Sequence, residues 1–302
     1  MKMSPLKVVV TGAGGYISNA LLPAFSERYD LTLLDLSKET KTGWNDNIIE
    51  VDLTNPNVDR YGEHFTGADV IIHNARYDRR DNPKFATGPN HQWKKDRPKH
   101  SVDGYLAERQ NLDMAYNIYK LALQKNITRV VIASSNHAAD WYETKIHVGE
   151  MDIVDHTTYP KSDNFYGWCK ISYEAMGFAF ATGRFGQKIE SINIRIGGPR
   201  ILDIANLADN QTSLRRDLGA WISNRDLQQL YIKSIETRKI LNEDGVPFQI
   251  FYGISNNTRA FWSIANARAV IGYNPQDDSE VFYSKQIRKH LTSSGHISEL
   301  NP

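Results

Sequence analysis

Short runs of β-branched and leucine-rich residues alternate with longer amphipathic stretches through the first two thirds of this chain. Val8-Val9-Val10, Leu31-Thr32-Leu33-Leu34, Ile48-Ile49-Glu50-Val51, Ala68 to His73 and Arg129 to Ala133 each read as a buried strand. Between them, Ile17 to Tyr29 reads as a helix, and Gly104 to Asn126 carries Leu112, Ala115, Ile118, Tyr119 and Ala122 at helical spacing. Strand and helix in alternation predict an α/β fold, a doubly wound parallel sheet with right-handed crossovers. The last third is mixed loop and helix. Ser223 followed by Asp226 reads as a cap opening Leu227 to Ile235, Phe248 to Tyr252 as a further strand, and Ile264 to Ile271 as a last helix. Trp221, Phe261 and Trp262 are assigned to the core, and the tail after Leu291 is expected to be loosely held.

The first strand runs into Thr11-Gly12-Ala13-Gly14-Gly15 and a helix start at Tyr16-Ile17. Glycines let backbone approach a ligand closely, and the orphan N–H groups of a helix N-terminus attract anionic oxygens, so a pyrophosphate fits there. The third small position of the pattern is Ser18. About twenty residues on, the second strand ends in Asp35, where a dinucleotide site needs a carboxylate for the adenosine ribose. A carboxylate there repels a 2′-phosphate and favours NAD over NADP. Asp52-Leu53 follows the third strand, with Asp52 placed to reach the adenine amino group, and Asn74-Ala75 follows the fourth, where backbone lines the cofactor groove. His73 reads as a packed strand-end histidine.

A chain of 302 residues with 40% hydrophobic content supports one large domain or a domain with a small appendage. Lys+Arg 36 against Asp+Glu 35 leaves no global field to attract nucleic acid or a membrane surface. One cysteine, Cys169, excludes an intramolecular disulfide framework. No apolar run approaches the ~18 residues of a spanning helix, and a cytoplasmic protein is expected. No metal site is read from the chain. Arg76 to His100 stands apart, with Pro83, Pro89 and Pro98 and eight Lys/Arg against three Asp. It reads as a long irregular basic loop, either a surface insertion or a lid or arm that meets a partner subunit or an anionic substrate.

The fifth strand delivers Ser134-Ser135-Asn136-His137 to the sheet's carboxyl edge. About thirty residues later comes Tyr166-Gly167-Trp168-Cys169-Lys170. Tyr and Lys four apart share a helix face, so the ammonium sits near both the phenol and a bound ribose. A neighbouring cation favours phenolate, and Ser135 can hydrogen-bond the same substrate oxygen. Asn111, inside the long helix, is either an exposed polar residue or a group holding a backbone kink or an ordered water near the site.

Thr11-Gly12-Ala13-Gly14-Gly15, Asp35, Asp52-Leu53, Asn111, Ser135, Tyr166 and Lys170 resemble, in order, the motifs of the extended short-chain dehydrogenase/reductases of the NAD-dependent epimerase/dehydratase superfamily. Ser134 to His137, Arg195-Ile196-Gly197, Trp221-Ile222-Ser223, Phe251 to Arg259 and Gly272 to Asp278 are similar to uronate dehydrogenases and the related archaeal NAD-dependent glucose-6-phosphate dehydrogenases. The resemblance implies a Rossmann-type single domain, with residues 1–196 as the NAD-binding core and 197–302 as a smaller substrate-covering region. It implies catalytic roles for Ser135, Tyr166, Lys170 and Asn111. NAD would be held by Gly12, Gly14, Gly15, Tyr16, Ile17, Asp35, Asp52, Leu53, Asn74, Ala75, Tyr166 and Lys170. The tyrosine would deprotonate the anomeric hydroxyl of a sugar acid or sugar phosphate while C1 passes hydride to NAD. Ser135, Asn136 and His137 would hold that sugar, and Arg216, beside Arg215, would pair with its anion. The same resemblance implies a homodimer or higher oligomer built on the helices of Asn111 and Tyr166. One departure concerns the substrate: uronate enzymes place a Ser after the fourth strand, where this chain has Arg76-Tyr77-Asp78. The alternatives are a nucleotide-sugar epimerase or dehydratase of the same fold, and a dinucleotide-sensing protein without turnover.

Overall fold

Strand β1 (Lys7–Thr11) is buried from Val8 onward, which is why it reads as a continuous apolar run and not as an alternating one. It lies inside a seven-stranded sheet with β2 (Asp30–Asp35), β3 (Ile48–Glu50), β4 (Val70–His73), β5 (Arg129–Ser135), β6 (Glu190–Ile196) and β7 (Phe248–Gly253), in the order β3-β2-β1-β4-β5-β6-β7. Every pairing is parallel. The computed structural model describes residues 4–38, 47–77, 104–207 and 210–293. Most of the basic loop, from residue 78 through 100, and the tail from 294 lie outside the described residues.

The helices divide between the two faces of the sheet. On one, Leu21 and Phe25 of α1 (Tyr16–Ser26) cluster with Val8, Val10 and Ile72. On the other, Met114, Ile118 and Leu121 of α2 (Gly104–Gln124) cluster with Val9, Ile71 and Val130, joined by Phe180 of α3 (Phe165–Ala181). Alternate residues of one strand thus feed two cores, as the pleat requires. The C-terminal third contributes to the same body. It supplies β7, and its helices α4 (Gln211–Ala220), α5 (Asn224–Glu236), α6 (Ala265–Ile271) and α7 (Ser284–Ser293) include α5, whose Leu227, Leu230 and Tyr231 share the α1 core.

Two details set the site. Because β1 and β4 are neighbours while the chain winds outward in both directions, their carboxyl ends open a crevice where the strand order reverses. In addition, β5 runs two residues beyond the apolar stretch visible in the sequence, since Ser134 and Ser135 stay in register with Arg195 and Ile196. The buried Arg195 joins β6 to α3. Its guanidinium donates to both carboxylate oxygens of Glu174 at 2.8 and 2.7 Å and to the Tyr252 hydroxyl at 2.8 Å, and Glu174 also accepts from Ser134. A buried ion pair this fully hydrogen-bonded avoids an uncompensated charge and fixes the helix that carries Tyr166.

Candidate active site

The crevice is a cleft of about 1000 Å3. Gly12, Gly14, Gly15, Tyr16 and Ile17 line one wall, Asp35, Asp52 and Leu53 the strand ends beside it, and Asn74 and Ala75 the floor. Gly12 has φ +68°, and a Cβ there would lie 2.5 Å from the Ala75 backbone, so the turn accepts glycine alone. Gly15 caps α1 without a side-chain hydrogen bond, which leaves the helix N-terminus to face an anion. Asp35 accepts from Gly14 N at 2.8 Å and from Leu36 N at 2.6 Å, which fixes its carboxylate between the glycine turn and the end of β2. Asp52 is held by the Thr54 amide and hydroxyl at 2.9 and 2.6 Å. Asn74 donates to the Ser18 hydroxyl at 3.1 Å and accepts from Tyr231 at 3.0 Å, so this side chain joins α1 and α5 while its backbone faces the cleft. A turn that excludes any Cβ, an uncapped helix end and a fixed carboxylate fit a dinucleotide.

Ser135, Tyr166 and Lys170 line the opposite wall. Asn164 caps α3 through Gly167 N at 2.9 Å, and Gly167 packs so closely that a side chain would collide with Ser162 and the His137 carbonyl. The first turn of α3 is therefore locked against the end of β5. Burial pushes the Tyr166 phenol above its ordinary value, with Glu108 and Cys169 adding to the rise, while Arg76 and the hydrogen bond to Ser135 pull it back. Burial lowers the Lys170 ammonium to about 8, and Arg76 lowers it further against the pull of Cys169, Glu108 and Glu174. Its Nζ donates to the Ala133 carbonyl at 2.8 Å and lies 5.7 Å from the Tyr166 ring centroid. His73 is buried and bonded to Thr11 Oγ1 at 2.8 Å. Burial takes its imidazole down to about 3, with Lys170 adding to the effect, so it stays neutral in neutral solution.

Asn111, Asn136, His137 and Arg216 stand back from the cleft lining. Asn111 accepts from Tyr77 N at 2.6 Å and donates to Tyr77 O at 3.1 Å, to Glu108 at 3.0 Å and to the Ala107 carbonyl at 3.4 Å. It clamps the chain leaving β4. His137 meets the Tyr166 ring edge-on at 5.5 Å and pairs through Nδ1 with Asp140 at 2.9 Å. Burial alone would raise the Asp140 carboxyl, but bonds from His137, Ser162 and Asn164 outweigh it and hold it below its usual range. Asn136 is buried, and its Nδ2 has no partner. Arg216 donates to Glu143 at 3.1 Å and to Asp217 at 3.0 Å, and those carboxylates raise its already basic guanidinium against the effect of burial.

The cleft also draws on residues that sequence reading did not nominate. Gly197 and Pro199 from the turn after β6, and Asn224 at the start of α5, close its far end. Arg76 lines it as well. The available signals were the Gly197-Gly198-Pro199 run after β6 and an arginine placed directly after Asn74-Ala75.

Residues 8–195 match the NAD dependent epimerase/dehydratase family. The chain belongs to that family. It is 30% identical over 288 residues to an NAD-dependent glucose-6-phosphate dehydrogenase of Haloferax volcanii, covering 91% of this chain and 95% of the relative. An L-arabinose 1-dehydrogenase (NAD(P)(+)) of the same organism is 27% identical over 281 residues, covering 90% and 97%. The fold is shared with the crystal structure of uronate dehydrogenase from Agrobacterium tumefaciens, at 23% identity and a TM-score of 0.68 over 99% of this chain and 92% of that one. Its place in the family makes NAD the cofactor. The glycine turn and Asp35 lie together in the cleft.

Proposed function

We propose that this family member is an NAD-dependent sugar dehydrogenase that oxidises C1 of an acidic hexose, a hexuronate or a sugar phosphate, to the aldonolactone. The observation that carries the reading is the convergence of Ser135, Tyr166 and Lys170 on the cleft that also holds the glycine turn and Asp35. Tyr166, as phenolate, takes the proton of the anomeric hydroxyl. Ser135 donates to the same oxygen and holds it as its proton leaves. Lys170 supplies the positive charge that favours phenolate from one helical turn away. NAD, when bound, accepts the hydride that leaves C1. Residues 1–196 hold the cofactor, and residues 197–302 complete the sugar end through Gly197, Pro199 and Asn224.

A second reading, a neutral aldose as substrate, is favoured by the engagement of Arg216 with Glu143 and Asp217, which balances within the protein the charge expected to meet a substrate anion. Relatives of both kinds support keeping the two side by side. The test is NADH formation by the purified protein with NAD against glucuronate, galacturonate, glucose 6-phosphate, glucose, arabinose and UDP-glucose. Turnover of the uronates or the phosphate supports the first reading, turnover confined to neutral sugars the second. Silence across the panel while NAD binds rejects both.

The same reading carries a cytoplasmic homodimer or higher homo-oligomer. Its support is the exposed apolar surface of α2 and α3, where Tyr105, Leu106, Tyr116 and Phe178 face outward. Light scattering is expected to give at least twice the chain mass of 34.4 kDa, and a monomer at micromolar concentration would count against it.

A further inference from the structure

Arg76 is the first residue after the floor of the cleft, and its guanidinium carbon lies 4.8 Å from the centroid of the Tyr166 ring. Among the described residues, Glu108 and Asn111 hold that arrangement. Its Nη2 donates to Glu108 Oε1 at 3.0 Å, the other oxygen of Glu108 accepts from Asn111 at 3.0 Å, and Asn111 grips both the N–H and the carbonyl of Tyr77. Glu108 and Asn111 are three apart on α2 and share one face, so a single helix fixes the arginine side chain and the backbone that follows it.

We propose that Arg76 serves the reaction through Tyr166, as a positioning cation laid on the ring so that the phenolate is favoured over the phenol. The proposal rests on the reading of Tyr166 as the base. A cation over an aromatic face is attracted by the ring's electron density, and that density rises when the phenol loses its proton, so the contact is stronger in the state that accepts the substrate proton. A charge held by Glu108 and Asn111 before substrate arrives needs no reorganisation when it acts.

The other described groups facing Tyr166 come from three elements. From α3 come Lys170 and Cys169, whose thiol burial pushes up to about 11 and thereby keeps neutral. From α2 comes Glu108, which opposes ionisation, and from the end of β5 come the Ser135 hydroxyl and the edge of His137. Among the described residues two cations stand against one carboxylate, which favours phenolate, and without Arg76 that described balance is one against one.

The decisive experiment needs neither NAD nor sugar. Phenol ionisation is titrated by ultraviolet absorbance in the whole protein, and the Tyr166 signal is isolated as the difference between each form and its Tyr166→Phe partner. Arg76→Gln is expected to move the Tyr166 midpoint up by about one pH unit, a roughly ten-fold loss of phenolate at a given pH, and Arg76→Lys to restore most of it. With the sugar that proves active, the acid limb of the kcat/KM profile should move in the same sense. A Tyr166 midpoint unmoved in Arg76→Gln overturns the proposal. So does an equal shift in Arg76→Gln and Arg76→Lys, because then charge is not the agent. A shifted titration beside a silent sugar panel counts against the dehydrogenase reading alone.

Discussion

The two halves of the cleft are built by different means. The cofactor half works through backbone: a glycine turn that no Cβ can enter, an uncapped helix end, and Asp35 fixed by two main-chain amides. The half proposed to meet the sugar carries Arg76, paired with Glu108, and behind its lining stand His137 paired with Asp140 and Arg216 paired with Glu143 and Asp217. The difference teaches where each kind of substitution is felt. Losing a charge in the cofactor half weakens a ligand, whereas losing one in the sugar half leaves a partner stranded inside the protein.

The sharpest separation of the halves is Tyr166→Phe. Removing the proton acceptor should lower kcat about 10³-fold while NAD binding, read by calorimetry, stays near its wild-type strength. Loss of both together would merge the halves into one unit.

Lys170→Met should set stability against activity. The folded protein holds this ammonium at about 8 against its ordinary 10.5, so folding disfavours the charged form. That penalty is absent above pH 10.5, grows as pH falls toward 8, and is constant below. Replacing the lysine should therefore stabilise the fold at pH 7 by about 2–3 kcal/mol, less what the lost bond to Ala133 contributes, and flatten the alkaline rise in stability between 8 and 10.5. Turnover should fall sharply. Denaturant titrations at pH 7 and 9.5 check the sign.

Arg216→Gln tests the internal pairing of the sugar half. With Glu143 left without its guanidinium and Asp217 keeping only Arg200, stability should drop by about 1–3 kcal/mol, seen as a lower denaturation midpoint. A variant of full stability with a raised KM for acidic sugars alone would instead assign Arg216 to the substrate. Asp35→Asn is the mildest of the set: NAD affinity should fall about ten-fold, NADP should be tolerated better, and the melting temperature should hardly move.

What the sequence made legible follows the same division. β1, the glycine turn and the carboxylate at the end of β2 depend on local pattern, so the sequence could place them together at one wall of the cleft. Tyr166 and Lys170 were legible for the same reason, since four residues on one helix fix their common face. The strand β5 was read two residues short because Ser134 and Ser135 look like a turn, and only pairing with Arg195 and Ile196 keeps them in the sheet. Asn111 could be read as exposed or site-holding, and its clamp on Tyr77 became visible only across 34 residues of chain. Glu143 and Arg216 lie 73 residues apart, and no local spacing announces that they meet.

Hydride transfer from the anomeric carbon is tested most directly by the fate of a deuterium placed at C1 of the sugar that reacts. The account predicts that the label leaves the sugar and appears on the reduced nicotinamide, one for each lactone formed, and that Tyr166→Phe abolishes both. Deuterium retained in a sugar that has changed configuration elsewhere, without net NADH, would contradict it and make this cleft an epimerase.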